Sequence, residues 1–384
     1  MEYVRLGDYC SISSSKRVFA RQYVDSGIPF YRSKEVIEKR EYKEVSEPLF
    51  ISEQLYKSFK DKFGVPVCGD ILLTSVGTLG IPYYVKASDR FYFKDGNLTW
   101  MKSFVDDLDS LYLYYWLSST FGKTSLIQRA IGSSQPALTI DILKKYRFLL
   151  PSLDIQHRIA SILSAYDSLI ENNTKRIRLL EKMAENLYKE WFVRFRFPGH
   201  ENVEMENGLP KGWRGGSLSE VCEFKRGKNI TSSEMQDGAI PVISAGISPS
   251  GFHTEANVHG ISVTMSSSGA NAGFIAIHYS DIWAADCSYI GEASTPYIYY
   301  VYELLNNIRS VITNFQRGAA QPHVYPKDIN HIKLIIPSEN LRKEANDRLS
   351  ILHKEIANYQ QQNTLLARQR DLLLPRLMSG KLEV

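Results

Sequence analysis

The chain contains two long segments that align with each other. Residues 131–152, IGSSQPALTIDILKKYRFLLPS, match residues 317–338, RGAAQPHVYPKDINHIKLIIPS, without a gap. The same register continues downstream over seven further pairs of residues. In order, Leu163, Ser164, Ile170, Asn172, Leu179, Leu180 and Leu187 align with Leu349, Ser350, Ile356, Asn358, Leu365, Leu366 and Leu373. A chance match does not hold register so long, so the chain is a tandem duplication. Its period of about 190 residues is too long for a solenoid repeat.

A weaker similarity lies upstream and completes each copy. Leu6, Cys10 and Ile28-Pro29 match Leu218, Cys222 and Ile240-Pro241 at one constant offset. Each copy is therefore a globular part followed by a helical part. A length of 384 residues also exceeds what one hydrophobic core usually organises.

The globular parts have a mixed α/β pattern. Short apolar runs bounded by Gly and Pro predict strands at 70–74, 146–150 and 332–336. Residues 111–118 and 297–307 are predicted to be helices. Glycine-rich loops are expected at 75–80 and 266–271.

A long helical pattern follows each Pro-Ser, starting near Asp154 and near Asn340 and free of Pro and Gly until Pro198 and Pro375. Apolar residues recur along both at spacings of three and four, which is typical of a coiled-coil seam. The predicted seam residues are Leu163, Ile170, Asn173, Leu180, Leu187, Leu349, Ile356, Asn363, Leu366 and Leu373.

Antiparallel pairing about a pseudo-twofold axis would place Leu163 against Leu373, Leu187 against Leu349 and Asn173 against Asn363. A buried Asn in each seam costs stability but fixes the register of the pair. The alternative is that the two helices lie separately on the globular parts, with both Asn side chains in solvent.

The predicted organisation has five segments. They are a globular domain at 1–152, a long helix within 153–195, a linker at 196–209, a second globular domain at 210–338, and a second long helix with a tail at 339–384.

Composition and motifs exclude several classes of function. No stretch has the apolar length of a membrane span and the start lacks a signal-peptide pattern, so a cytoplasmic location is expected. The four Cys residues are far apart, which argues against zinc and disulfides and predicts small buried side chains. Residues 121–124, FGKT, resemble the end of a phosphate-binding loop, but Leu117 stands where its leading Gly is required. No hydrolase, metalloprotease, dinucleotide-binding or base-methylation motif is present, so no catalytic residue, metal or bound cofactor is expected.

DNA binding is inferred from the positions of cationic and polar residues, because a net charge of +4 decides nothing alone. Basic clusters near residues 16 and 226 occupy similar places in the two copies, and Arg129 and Arg317 lie near the Gly-x-x-Gln-Pro segments. Cations neutralise phosphates, while Arg, Asn, Gln and Ser can read base edges. The candidate DNA-binding residues are Lys16, Arg17, Arg32, Thr74, Ser75, Arg129, Ser134, Gln135, Lys225, Arg226, Lys228, Asn229, Ser267, Asn271, Arg317 and Gln321.

Three pieces of the chain resemble the specificity subunit of type I restriction-modification systems. They are residues 132–156, GSSQPALTIDILKKYRFLLPSLDIQ; residues 187–199, LYKEWFVRFRFPG, followed by LPKGW at 209–213; and residues 372–382, LLLPRLMSGKL. The second copy departs from the family at 337–342, where PSENLR replaces the usual Pro-Leu-x-x-Gln, so contacts there are expected to differ.

The resemblance implies two target-recognition domains that each read half of a split site in double-stranded DNA, separated by an antiparallel helix pair. It also implies two methyltransferase subunits bound through the helices and two motor-nuclease subunits in the complete enzyme. S-adenosylmethionine would belong to the methyltransferase, and ATP with Mg to the motor-nuclease. A helix of about thirty residues spans roughly 45 Å, comparable to one turn of B-DNA plus several base pairs.

Two other functions remain open at this point. One is a self-contained methyltransferase or nuclease, although its motifs are absent, and the other is a scaffold whose helices bind only protein. Salt separates DNA binding from apolar protein binding, because phosphate contacts weaken steeply with ionic strength.

Overall fold

The computed structural model describes residues 2–132, 135–318 and 322–382. It contains two compact units, the first formed by Met1–Thr174 with Gln362–Val384 and the second by Lys175–Gln361. Each unit thus includes a stretch of both long helices. The five segments expected from the sequence are divided at the ends of the long helices, whereas the two units are divided within them. The five-segment organisation stays a prediction.

The first unit is built from short strands and helices that precede a long helix. Its strands are β1 (Glu2–Arg5), β2 (Ser11–Ser13), β3 (Tyr23–Val24), β4 (Ile28–Tyr31), β5 (Leu49–Ile51), β6 (Ile71–Thr74), β7 (Pro82–Tyr84), β8 (Tyr92–Phe93), β9 (Leu98–Lys102) and β10 (Arg147–Leu150). Its helices are α1 (Ser33–Arg40), α2 (Glu53–Phe63), α3 (Ser110–Ser118), α4 (Thr120–Ile127), α5 (Ile140–Lys145) and the start of α6 (Leu153–Tyr188). Side chains of Ser52, Asp109, Ser119 and Thr139 accept hydrogen bonds from the first-turn amides of the helices that follow them, which fixes where those helices begin.

The strands of the first unit form two four-stranded sheets and one pair. The order β2-β9-β6-β7 is antiparallel throughout, whereas β3-β5-β4-β8 ends in a parallel β4–β8 pairing. β1 pairs antiparallel with β10, which returns the chain to its start just before α6. All four residues of β6 are buried, as expected for a central strand covered on both faces.

Helix α6 is fixed to the first unit through its first turn. The buried Gln156 accepts from the Asp109 amide (2.9 Å) and donates to the carbonyls of Asp107 (2.9 Å) and Pro151 (3.0 Å). Farther along, Asp167 accepts from the Tyr115 hydroxyl (2.7 Å) and from Arg370 (2.5 Å). These contacts hold α6 against α3 and against the last stretch of the second long helix.

The second unit repeats this type of organisation with other lengths. After a π-helical turn at Lys189–Val193, its strands are β11 (Met205–Glu206), β12 (Leu209–Pro210), β13 (Arg214–Ser217), β14 (Lys225–Arg226), β15 (Ile240–Ile243), β16 (Gly251–His253), β17 (Ser262–Ser266), β18 (Ile275–His278), β19 (Trp283–Ala284), β20 (Cys287–Gly291) and β21 (Lys333–Ile336). Its helices are α7 (Ile298–Asn307), α8 (Arg309–Thr313), α9 (Pro326–Ile329) and α10 (Glu339–Met378), of which the last turns belong to the first unit.

The strand pairings of the second unit follow the same scheme. An antiparallel sheet has the order β14-β20-β17-β18, a second sheet β16-β15-β19 has a parallel β15–β19 edge, and β13 pairs with β21 ahead of α10. A separate β11–β12 pair precedes them. The strands predicted at 70–74, 146–150 and 332–336 and the helices at 111–118 and 297–307 are thereby confirmed as β6, β10, β21, α3 and α7.

The start of α10 differs from the start of α6, where the sequence departs from the family pattern. Arg342 stands at the position of Gln156 and lies over the Tyr297 ring, 5.4 Å from its centroid. One turn later, Asn346 accepts from the amides of Tyr299 (3.1 Å) and Tyr300 (3.3 Å). In the second unit, the polar link between the long helix and the globular part is therefore made one helical turn after the position equivalent to Gln156.

A buried histidine extends this link in the second unit. His353, 1% exposed, contacts the Tyr279 hydroxyl through Nδ1 (2.8 Å) and Glu303 through Nε2 (3.2 Å). Its ring stacks on Tyr299 with 5.0 Å between centroids. Polar contacts thus hold a long helix in each unit, with different residues.

Two sequence expectations about local structure need correction. Cys10, Cys222 and Cys287 are buried, and burial raises the pKa of each thiol to about 12. Cys68 is exposed, because it lies in a turn closed by the Asp70 amide and the Val67 carbonyl (3.0 Å). Pro375 does not end α10, which continues to Met378, since a proline in the last turn removes only one intrahelical hydrogen bond.

Candidate nucleic-acid interface

In the first unit, the basic loop after β2 packs on the turn between β8 and β9. Ser15 donates to the Phe93 carbonyl (2.7 Å), and Arg17, 67% exposed, pairs with Asp95 (2.8 Å). Lys16 is exposed, its amide bonded to the Tyr92 hydroxyl (2.8 Å) and its ammonium 5.5 Å from the centre of the Phe63 ring. The loop is thus fixed in place while both cations face solvent.

The glycine-rich loop after β6 lies beside this turn but presents different atoms than expected. Thr74 and Ser75 are 0% and 3% exposed. Thr74 accepts from the Ile81 amide (2.9 Å), and the Ser75 hydroxyl bonds that of Thr99 (2.6 Å). Both hydroxyls thus bond within the unit, and the DNA contact expected of them stays a prediction.

Arg32 is also held within the unit. Its backbone amide and guanidinium both donate to Glu35, a fully buried residue of α1, and Glu47 lies 3.8 Å away. Burial alone would raise the pKa of Glu35, but the hydrogen bonds from Arg32 lower it below its usual value. Removing Arg32 would leave this buried carboxylate unpaired, so Arg32 stabilises the start of α1, and its contact with DNA stays a prediction.

The residues on either side of the Gly-x-x-Gln-Pro segment of the first unit pair with each other. Ile131 and Ala137 exchange backbone hydrogen bonds of 3.0 and 2.8 Å. Gly132 has φ +107°, and a Cβ there would lie 2.7 Å from the Gln135 carbonyl, so the turn requires glycine. Gln135 and Arg129 are exposed, while Ser134 lies outside the described residues.

In the second unit, the basic residues lie on and after β14. Lys225, Arg226, Lys228 and Asn229 are all exposed. Arg226 pairs with Asp286, and the Lys228 ammonium lies 5.8 Å from the centre of the Trp283 ring. The Lys228 backbone bonds Ala284 (2.9 Å) and the Trp283 ring nitrogen (2.9 Å), which fixes this segment on β19.

The loop after β17 carries one buried and one exposed candidate. Ser267 is 2% exposed and its hydroxyl lies 3.3 Å from that of Ser288, so this hydroxyl supports the loop and its DNA contact stays a prediction. Asn271 is exposed at the end of a short 3₁₀ turn. Ser268 donates to Asp286 (2.8 Å), the carboxylate that also binds Arg226.

The second Gly-x-x-Gln-Pro segment is flanked by the same backbone pairing as the first. Arg317 and His323 exchange hydrogen bonds of 2.9 and 2.8 Å. The Arg317 side chain, 62% exposed, pairs with Asp328 at 2.8 Å. Gln321 lies outside the described residues.

Sequence reasoning missed the aspartates that orient these arginines. Asp95, Asp286 and Asp328 each pair with a candidate arginine. An exposed pair contributes little stability, so its main effect is to hold the guanidinium in one direction. Only Asp328 lies within the aligned segments of the sequence, and nothing in the pattern marks the other two.

The predicted seam residues of the long helices are all buried or half-buried. In the first unit, Leu163 and Leu373 contribute to one apolar cluster, and in the second unit Leu187 and Leu349 share another. The two asparagines do not bond each other. Asn173 donates to Gln362 (3.2 Å) and Asn363 to Thr174 (3.3 Å), because each amide finds an acceptor one position from the expected partner.

Neither a metal centre nor a membrane span emerges from the described part of the chain. The residues described there contain no group of three or more His, Cys, Asp or Glu side chains placed to hold a metal ion. None of the helices they form has the length and apolar character that crossing a membrane requires.

Comparison with known proteins places this arrangement in a family. The model of the type I restriction modification DNA specificity domain matches residues 1–182 and again residues 210–367. The type I restriction enzyme MjaIX specificity subunit of Methanocaldococcus jannaschii is 28% identical over 347 residues, covering 82% of this chain and 78% of the relative. The crystal structure of a type I restriction-modification S subunit from M. genitalium has the same fold, with a TM-score of 0.59, 20% identity and coverage of 98% of this chain and 95% of that one. The chain therefore belongs to the family of type I restriction-modification DNA specificity subunits.

Proposed function

We propose that this chain reads a bipartite DNA site for a type I restriction-modification complex. The domain at 1–152 reads one half-site and the domain at 210–338 reads the other. The helical segments 153–195 and 339–384 set the gap between the half-sites, and residues 196–209 link the two copies. The chain supplies recognition of the target DNA sequence and no catalytic group.

The observation that carries this proposal is a shared backbone frame with different side chains. The Leu138 amide donates to the Ser75 carbonyl (2.9 Å), and in the other unit the Val324 amide donates to the Ser267 carbonyl (3.0 Å). Around these equivalent contacts, the exposed groups are Arg17, Arg129 and Gln135 in one unit and Arg226, Asn271 and Arg317 in the other. Similar backbone structures that carry different exposed side chains favour the recognition of two different half-sites.

Contacts within each unit support antiparallel pairing of the long helices. Asp167 with Arg370 and Asn173 with Gln362 join them in the first unit, and Arg176 donates to the Tyr359 hydroxyl (3.0 Å) in the second. As the residue number rises along α6, the number of its partner on α10 falls, as it must when two helices run in opposite directions. We therefore infer a coiled-coil seam related by the pseudo-twofold axis of the duplication.

The chemistry belongs to partner subunits that the chain assembles. Two methyltransferase subunits bring S-adenosylmethionine and transfer the methyl group to adenine, and two motor-nuclease subunits bring ATP and Mg for restriction. Assembly takes place in the cytoplasm, on double-stranded DNA.

Exposed leucines on the long helices are proposed to contact the methyltransferase subunits. Leu179 and Leu365, which align in the duplicated sequence, are 63% and 50% exposed. Burying one leucine contributes about 1.5–3 kcal/mol, so replacing each by Glu is expected to weaken methyltransferase binding by roughly 10- to 100-fold per site. Calorimetric titration of the Leu179→Glu/Leu365→Glu variant would measure this.

The control for this variant is Gln369→Glu, which adds one negative charge at another exposed position of α10, where the double variant adds two. It is expected to bind the methyltransferase normally. Both proteins should unfold at the wild-type Tm, because the changed side chains lie on the surface. Unaltered binding by the double variant would place the partner elsewhere.

Lysines without a carboxylate partner are expected to contribute the salt dependence of DNA binding. Lys228→Ala should weaken binding about equally on matching and unrelated DNA and reduce the slope of log K against log salt by about 1. Lys211, which pairs with Glu204 (2.7 Å), provides the control, and Lys211→Ala should leave the slope unchanged. An unchanged slope in the Lys228 variant would remove that residue from the interface.

The proposal as a whole is tested by adenine methylation. The chain is copurified with its genomically neighbouring methyltransferase, and methylated adenines are mapped on DNA treated with the complex. A single split motif is expected. Exchange of residues 1–152 or of 210–338 for those of another specificity subunit should alter only one half of the motif. Methylation that ignores either exchange, or the absence of a complex, would overturn the proposal.

A further inference from the structure

The loop between β15 and β16 projects an apolar side chain from the second unit. Ile247, near the middle of the loop 244–250, is 65% exposed, the largest exposed fraction of any bulky apolar residue in the described part of the chain. The base of the loop is fixed: the Ser250 amide bonds the Val242 carbonyl (2.9 Å), and the Ser244 and Ser250 hydroxyls lie 2.9 Å apart. A rigid base therefore holds an isoleucine out in solvent.

This loop adjoins the candidate nucleic-acid interface. Ser266, which leads into the loop that carries Asn271, donates to the Ala245 carbonyl (2.6 Å). The Ala285 amide bonds the Ile243 carbonyl (2.8 Å), immediately before the aspartate that pairs with Arg226. Ile247 thus stands beside the groups proposed to contact DNA.

The loop has no charge with which to bind a phosphate. Residues 240–252, IPVISAGISPSGF, contain no Asp, Glu, Lys or Arg. A cavity of about 280 Å³ lies against the loop, and no Asp, Glu, Lys or Arg lines it. His278 borders that cavity, and burial lowers its pKa to about 4, so the ring is neutral at neutral pH. An uncharged element beside a cation proposed to bind phosphate suits the bases of a groove rather than its backbone.

The chemistry of base edges limits what an isoleucine can recognise. In the major groove the edges of the bases present hydrogen-bond donors and acceptors, and the C5 methyl of thymine is their apolar group. An aliphatic side chain that enters the groove is stabilised by contact with that methyl. Serine hydroxyls on both sides of Ile247 can reach neighbouring polar edges.

In the described part of the first unit, no such loop follows the equivalent strand. That strand, β4, is followed at once by Arg32 and α1. Whatever Ile247 recognises therefore belongs to the half-site of the second unit alone.

From these observations we propose that Ile247 contacts the C5 methyl of a thymine in the half-site read by the second unit and thereby selects an A·T pair. The inference rests on the proposed function and adds a specificity-determining residue to it.

The test replaces single thymines by deoxyuridine, which removes only the methyl group. The complex with methyltransferase is titrated onto DNA in which each thymine of the site is replaced in turn. One position in the second half-site should weaken binding of the wild-type complex about 3- to 10-fold, as expected for the loss of one buried methyl with its packing. The Ile247→Ala complex should bind thymine and uracil DNA equally at that position, and Ile247→Val should still distinguish them.

Ile351→Ala serves as the matched control, since Ile351 is 64% exposed on α10 of the same unit. Its complex should discriminate thymine from uracil as the wild type does. Equal binding of uracil DNA by the wild type at every position, or discrimination that persists in Ile247→Ala, would overturn the proposal. So would a loss of methyltransferase binding by Ile247→Ala, which would make the loop a protein contact. A complex with no sequence preference at all would instead overturn the proposed function.

Discussion

Insertion of one heptad into both α6 and α10 is expected to lengthen the tolerated gap between the half-sites by about three base pairs, or to abolish specific binding. Seven residues add about 10 Å to a helix at 1.5 Å per residue, which equals about three steps of B-DNA. A heptad also returns the apolar seam to nearly the same face, so the pairing is kept. The insertion points are Thr174/Lys175 and Gln361/Gln362, next to the asparagine contacts.

Selection from a DNA library with randomised gap lengths measures the outcome. A four-residue insertion in both helices is the informative control, because it breaks the spacing of the seam and should lose specific binding instead of shifting the gap. If the heptad variant binds with the original gap preference, the helices do not determine the distance.

Replacing one buried leucine in the first half of each long helix by alanine is expected to have the largest effect on the free energy of unfolding. Leu163 on α6 and Leu349 on α10 are both 0% exposed and occupy aligned positions of the duplication. Leu163→Ala and Leu349→Ala should each lower the free energy of unfolding by about 2–5 kcal/mol, because each leaves a cavity in a packed cluster.

Urea unfolding followed by circular dichroism would measure these losses, with separate transitions fitted if the units unfold independently. Leu179→Ala is the control, since Leu179 is 63% exposed and its loss should change stability by less than about 0.5 kcal/mol. A loss below about 1 kcal/mol for Leu163→Ala would mean that α6 does not depend on this contact.

The helical parts of the fold were predictable because their signal is local and repeated. Apolar spacing identified α6 and α10 and the side of each helix that is buried. The strands β6, β10 and β21 were predictable for a similar reason, as apolar runs between turn residues. The antiparallel contacts follow from the duplication, but which atoms meet depends on side-chain reach, as Asn173 and Gln362 illustrate.

The candidate site was less predictable because burial of polar residues is decided by distant parts of the chain. Ser75 and Ser267 have the residue types of DNA contacts, yet their partners Thr99 and Ser288, more than twenty residues away, place both hydroxyls inside. The Arg17–Asp95 and Arg226–Asp286 pairs likewise span long stretches of sequence. No local pattern reports such pairings.

The first unit is formed by two separate stretches of the chain, and this also determines the order in which the two units can fold. Leu374, Leu377 and Met378 share a buried cluster with Leu113 and Phe148, although they are translated after the whole second unit. At about 5–20 residues per second, the ribosome adds the roughly 190 residues between Thr174 and Gln362 in about 10–40 s. The second unit, contiguous in sequence, is complete before the first. A nascent chain therefore holds its first unit incomplete, with part of its core open, until residues 362–378 have been made.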